Sequence, residues 1–283
     1  MTLAPADSRE LGLVLAHRLL GLEDLHYGLW EEDLEVTPCN LPQAQQCYTD
    51  YLISRLPGAG ARVLDVGCGT GSVLAKLLGT GYAVDAVSPS PALTAQVRAR
   101  LAGFPAADTV LFECRFEALD PHGLEGRYDV VLFSESFQYV QGMAHALEKA
   151  GRLLKPGGLL VISDVFHADN AGGEVIRGGH SLAKFERIAA GAPLRPVSRA
   201  DLTTRVSPTI ELLHTLLMER VGPAADILAA YLRQRHPLWT WLGARLAGAR
   251  LRRVRARYFG AGYTGQAFER HKRYLFLVYA CRA

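Results

Sequence analysis

Residues 63–71 read Val63-Leu64-Asp65-Val66-Gly67-Cys68-Gly69-Thr70-Gly71, a short β-rich run that ends in three glycines at alternate positions. Glycine permits a tight turn after a strand and lets backbone N–H groups approach a ligand closely. A helix starting beyond the glycines would add its N-terminus, where unpaired N–H groups favour negative charge. A dinucleotide-binding turn needs GxGxxG; here Ser72 stands at the place of its last glycine and Gly71 comes one position early.

Working outward, β-rich runs at 83–87, 109–113, 129–133 and 159–163 alternate with stretches of helical spacing at 91–101 and 144–154. Lys155-Pro156-Gly157-Gly158 reads as a helix stop followed by a turn. The alternation predicts a doubly wound α/β fold, a parallel sheet covered by helices. Before the first strand, residues 11–20 and 41–56 read as helical, with Asn40 and Pro42 at cap and first-turn positions. Beyond Asp164 the pattern becomes a strand near 196–203, a helical region from 208 to about 257 and a β-like run at 274–280. The expected organisation is an N-terminal helical segment (1–57), an α/β core (58–206 with 270–283) and a helical lid (207–269).

The chain has 283 residues, 49% of them hydrophobic, enough for one catalytic domain with an insertion. A net charge of +3, from 31 basic and 28 acidic residues, does not mark a nucleic-acid binder. Five scattered cysteines, without a CxxC pair or zinc spacing, suggest reduced thiols, no metal site and a cytoplasmic protein. The stretch at 11–20 is interrupted by His17 and Arg18, unlike a signal peptide. No run approaches the ~18 apolar residues of a membrane span, so stable insertion is not expected.

The glycine segment resembles the first motif of class I S-adenosylmethionine-dependent methyltransferases. Tyr128-Asp129-Val130-Val131-Leu132-Phe133 looks like that family's fourth strand, and residues 153–162, around Lys155-Pro156-Gly157-Gly158, like its helix, turn and fifth strand. The resemblance implies a seven-stranded sheet and S-adenosylmethionine as cofactor. It also implies that Asp65, Gly67, Gly69 and Gly71, with Cys68 among them, hold the methionine end. Phe116 and Glu117 stand where relatives place residues near the adenine. Ser88 replaces the acid that usually grips the ribose; a hydroxyl cannot offer a bidentate charged acceptor. Asp85 cannot substitute, because strand alternation points it to the opposite face.

The serine, the segment His26-Tyr27-Gly28-Leu29-Trp30 and the loop Ser134-Glu135-Ser136-Phe137-Gln138-Tyr139 resemble the tocopherol, sterol and cyclopropane-synthase-like branch. That likeness puts Tyr27 and Ser134 beside the cofactor. Open α/β sheets bind ligands beyond their strands' carboxyl ends, so the acceptor is expected between 134–139 and 166–170. His167 is the first candidate for general base, with His180 a weaker alternative. Glu135 is read as orienting the acceptor, contacting the cofactor or stabilising a cation, and Tyr27 and Tyr139 as lining the methyl channel.

From residue 227 to 268 no acid occurs, while arginines accumulate beside Trp239 and Trp241, consistent with a lid or an ordinary amphipathic surface. No base-flipping motif accompanies it, which favours a small acceptor over nucleic acid. The expected function is methylation of a small, apolar or amphipathic specialised metabolite at O, N or C. The rivals are methylation coupled to cyclisation, and cofactor binding without transfer. The N-terminal helix could also join subunits of a homo-oligomer.

Overall fold

In the computed structural model the β-rich runs assemble into one eight-stranded sheet; residues 24, 26–169, 178–216, 218–219, 222–236 and 264–282 are described. The helix at 11–20, the second half of the 208–257 region and residues 170–177 of the acceptor-side loop lie outside them. Helix α1 (Leu41–Ile53) leads into β1 (Arg62–Val66), α2 (Ser72–Gly79), β2 (Ala83–Val87), α3 (Pro91–Leu101) and the short β3 (Leu111–Phe112). Then come β4 (Tyr128–Ser134), α4 (Met143–Leu153), β5 (Leu154–His167), the two-residue β6 (His180–Ser181) and α5 (Leu182–Gly191). The described chain closes with β7 (Leu194–Asp201), α6 (Thr203–Leu216), α7 (Gly222–Arg235), α8 (Gly265–His271) and β8 (Lys272–Cys281).

The strand order is β3-β2-β1-β4-β5-β8-β7, with β6 as an eighth strand pairing with β5 beyond the seven expected. Strands β1 to β5 pair in parallel, and β8 runs antiparallel between β5 and β7. Residues 63–66 of β1 are all buried because helices cover both faces of the sheet. One face carries Leu64, Phe133, Ile162, Phe166 and Leu275 against α4 and α5; the other carries Val63, Val161, Val165 and Tyr274 against α1, α2 and α6. Each fully buried Val, Leu or Phe contributes about 1.5–3 kcal/mol, so the central strands anchor the fold. The order of the strands reverses between β1 and β4, which opens a crevice beyond their carboxyl ends.

Three local expectations change. Lys155-Pro156-Gly157-Gly158 does not separate helix from strand: β5 already begins at Leu154 and carries the motif as an irregularity, its pairing shifting between Tyr128 and Val130. Pro208 does not start a helix but sits inside α6, which Asp201 starts by accepting Thr203 N–H at 2.9 Å. Proline cannot bond the Thr204 carbonyl; Ser207 Oγ lies 3.3 Å from that oxygen and also donates to Glu269 Oε1. Asn40 occupies the N-cap of α1, but its side chain donates to Glu35 O at 2.9 Å and caps nothing. The expected lid boundary at 206/207 falls within α6, which continues from the core and holds α8 through Glu211 Oε2 and Gly265 N–H at 2.7 Å.

Candidate active site

The turn after β1 is built as its glycines suggest: Gly67, Gly69 and Gly71 have φ of 76°, 56° and 81°, a region L side chains avoid. Gly67 N–H donates to Val87 O at 2.8 Å and Gly71 N–H to Cys68 O at 2.8 Å. A side chain at Gly67 would overlap Ser136 Cβ, because the loop after β4 packs directly on this turn and Ser136 Oγ donates to Val66 O. Asp65 is the last residue but one of β1, beneath the turn. It is 1% exposed, and burial raises its carboxyl to about 7. Its Oδ2 has no hydrogen-bond partner among the described residues. A buried acceptor without a donor is costly unless a ligand supplies one. The cofactor's amino group is such a donor, and the side-chain-free glycines let a ligand approach the turn closely, so this set of residues fits S-adenosylmethionine.

The segment 26–30 lies across α1 and α6. Gly28 N–H and Trp30 Nε1 both donate to Thr209 Oγ1, at 3.1 and 2.9 Å, while Leu29 N–H reaches Ala44 O at 2.8 Å. A side chain at Gly28 would sit 2.6 Å from Ala44 Cβ, so glycine permits the close contact. His26 stacks on Tyr48 with ring centroids 4.5 Å apart and contacts Asp24 at 3.4 Å. Asp24 is lowered to about 2: burial, the largest influence, would raise it, but His26, Ser72 and Lys76 together outweigh it. Asp24, two residues before the segment, therefore lies beside the start of α2.

Glu135 joins this strap to the sheet. Its Oε1 accepts from Tyr27 N–H and from the Tyr274 hydroxyl, both at 2.8 Å, and its own N–H donates to Ser163 O at 2.8 Å. Among the described residues it is the one non-glycine with positive φ, 53°, a strained conformation of the kind found at functional sites. Burial raises its carboxyl, and His26 with the two hydrogen bonds opposes the rise. Ser134 Oγ pairs with Tyr48 OH at 2.8 Å. The rings of Tyr27, Tyr48 and Tyr274 meet edge to face about this carboxylate, with centroids 6.0 and 6.2 Å apart. Tyr48 and Tyr274 were not legible as site residues: the first reads as a helical core position and the second as the start of a β-like run.

His167 is half-buried at the end of β5 and faces Lys272, its register partner on β8. Burial and the Lys272 charge lower its ring below the usual histidine range, so it is unprotonated at neutral pH. His180 is occupied differently: its Nε2 donates to Phe137 O at 3.0 Å, and burial lowers it also. Tyr139 is 50% exposed, unlike the fully buried Tyr48 and Tyr274.

On the cofactor side, Ser88 is buried and meets Ser90 N–H at 3.5 Å. Asp85 is engaged elsewhere, accepting from Tyr128 OH and Val110 N–H at 3.0 Å between Arg62 and Arg127. Phe116 is turned into the core against Phe133, with centroids 5.1 Å apart, so little of its ring faces the crevice. Glu117 accepts from Gln141 N–H and ties the loops after β3 and β4 together. Buried Lys149 holds the same turn through the carbonyls of Phe116, Glu117 and Leu119 at 3.1, 2.7 and 2.8 Å. Cys68 is buried, which pushes its thiol well up and keeps it unreactive.

The sheet order, the glycine turn and the unpartnered Asp65 define the class, an S-adenosylmethionine-dependent methyltransferase. The chain belongs to the methyltransferase domain family, which matches residues 43–204. Over 201 residues it is 27% identical to the 27-O-demethylrifamycin SV methyltransferase of Amycolatopsis mediterranei, covering 66% of this chain and 72% of that one. It is 33% identical over 138 residues to a ubiquinone biosynthesis O-methyltransferase of Xanthomonas oryzae pv. oryzae, covering 48% and 56%. The chain thus spans little more than half the length of that second relative. Its fold is shared with the [4+2]-cyclase SpnF, at 17% identity and a TM-score of 0.68, over 100% of this chain and 98% of the other. No helix among the described residues is long and apolar enough to cross a membrane.

Proposed function

We propose that this protein methylates a small, apolar or amphipathic specialised metabolite using S-adenosylmethionine. The unpartnered, buried Oδ2 of Asp65 beneath the glycine turn carries the cofactor half of this reading. Asp65 would hold the amino group, Ser88 one ribose hydroxyl, and Gly67, Gly69 and Gly71 would shape the turn so that the methionine end can lie against its backbone. Phe116 and Glu117 would shape the adenine end. The cofactor supplies an electrophilic methyl group bonded to sulfur, and transfer is an in-line displacement. The enzyme's work is therefore alignment and exclusion of water.

The acceptor would lie where Glu135, Tyr274 and Tyr27 meet the end of β5. Glu135 presents negative charge close to the methyl path and keeps Tyr27 fixed as a wall of the channel. His167, neutral at working pH, is the candidate base for an acceptor that must lose a proton. The names of the two curated relatives, a demethylrifamycin methyltransferase and a ubiquinone-pathway O-methyltransferase, support a specialised or quinone-like acceptor. Calorimetry with S-adenosylhomocysteine tests the reading: binding by the wild type and its loss in Asp65→Ala are expected, and absence of binding by the wild type refutes it.

A further inference from the structure

Lys272 opens β8, and its side chain is buried, 1% exposed. Its Nζ lies 3.2 Å from Nδ1 and 3.1 Å from Nε2 of His167 and donates to Gly178 O. Among the described residues no carboxylate comes within ion-pair distance of it; Lys155, by contrast, sits 2.8 Å from Asp129. Burial lowers the ammonium to about 8. Lysine without a counter-charge is rarely retained in a protein interior, since an apolar side chain of the same length avoids the desolvation penalty. Strand alternation puts Lys272 on the same face as Tyr274, and His167 on the same face as Val165. The cation therefore lies on the Glu135 and Tyr274 side of the sheet, at its carboxyl edge.

We propose that His167 and Lys272 form the receiving site for an acidic hydroxyl of the acceptor, phenol or enol in class, which is methylated on oxygen. This rests on the methyl-transfer reading. His167 contacts the hydroxyl and takes its proton; Lys272 is the positioning residue behind it, whose charge favours the oxyanion. The oxygen keeps the O–H electron pair and forms the new O–CH3 bond as the methyl–sulfur bond breaks, its pair remaining on the departing thioether. Once the oxyanion is consumed, repulsion from Lys272 returns the His167 proton to water. The other titratable groups facing His167 are Asp169, which favours its charged form, and His180 and His271, which oppose it.

The test uses protein loaded with S-adenosylhomocysteine and para-nitrophenol as probe, with phenolate read by its absorbance at a pH below the probe's own pKa. The wild type is expected to raise the ratio of bound phenolate to phenol about tenfold or more, as an opposite charge close by does. Lys272→Met should abolish the rise yet melt no lower than wild type, and should bind uncharged para-nitroanisole equally well. His167→Gln should lower the ratio less than Lys272→Met does, because the cation remains. Equal ratios in wild type and Lys272→Met, no binding of para-nitrophenol, or a Lys272→Met variant that melts far below wild type each overturn the proposal. Loss of S-adenosylhomocysteine binding by the wild type would instead overturn the methyl-transfer reading.

Discussion

Tyr274 and Glu135, 139 residues apart in the chain, meet through a 2.8 Å hydrogen bond from the tyrosine hydroxyl to the carboxylate. The same oxygen holds Tyr27 N–H, so one carboxylate ties the last strand and the N-terminal strap to the loop after β4. Tyr274→Phe removes one donor and should lower stability by about 1 kcal/mol. Glu135→Ala strands both donors and should cost roughly 1–3 kcal/mol. Urea unfolding measures both, and the order of the two variants is the expected outcome.

Asp65 makes the cofactor-free protein sensitive to pH. Its native carboxyl keeps the proton up to about pH 7, whereas an unfolded aspartate loses it at about pH 4. The native state thus binds more protons between those values, and stability falls as pH rises through that window. The full effect is on the order of 4 kcal/mol at most, from roughly three pH units at about 1.36 kcal/mol each. Asp65→Asn should flatten this dependence in thermal melts taken across the window.

Cofactor affinity should run the opposite way. Only the ionised Asp65 pairs with an ammonium, so affinity rises with pH up to and past about 7. Truncating one partner of a buried charge pair costs about 2–5 kcal/mol, so Asp65→Ala should weaken S-adenosylhomocysteine binding roughly thirtyfold or more. Titration calorimetry at two pH values reads both effects.

Gly67 tests the turn. Gly67→Ala must adopt φ near 76° and displace Ser136. Its left-handed conformation alone costs about 1–2 kcal/mol. The expected result is lost cofactor binding with lowered stability. Adding Ser136→Gly should recover part of the stability, since it relieves the overlap but not the backbone strain.

Lys149 holds the turn after β3 by donating to three carbonyls. Lys149→Met should remove this donor from all three carbonyls, of which Phe116 O keeps Leu119 N–H at 3.2 Å, and increase hydrogen exchange across 116–119, with little change at β1. Equal exchange across 116–119 in wild type and Lys149→Met would show that Lys149 does not restrain this turn.

Much of the fold was legible because parallel strands covered on both faces are short apolar runs, and 83–87, 129–133 and 159–163 stand out against helical spacing. Boundaries were less legible where long-range pairing decided them. β5 begins at Leu154 because that residue pairs with Tyr128 of β4, and it runs on to His167 because β8 pairs with it as far as Lys272, a partner more than a hundred residues away. Pro208 looked like a helix start because proline favours first turns, whereas the helix already begins at Thr203. In the site, Asp65 and Glu135 were legible from their place beside the turn and the fourth strand. Tyr48, Tyr274, Lys149 and Lys272 were not, since tyrosine is common in cores and lysine is ordinarily a surface residue.

The sequence by itself determined the class: an acid and alternating glycines after a buried strand require a turn that only glycine can make, and the repeated strand and helix pattern places that turn at a crevice. The tertiary structure alone decided which groups share that crevice. Glu135 takes its donors from Tyr27 and Tyr274, and His167 is set beside a buried cation, because β8 inserts antiparallel next to β5. No local pattern encodes that neighbourhood, since it arises from burying two distant strands against one another.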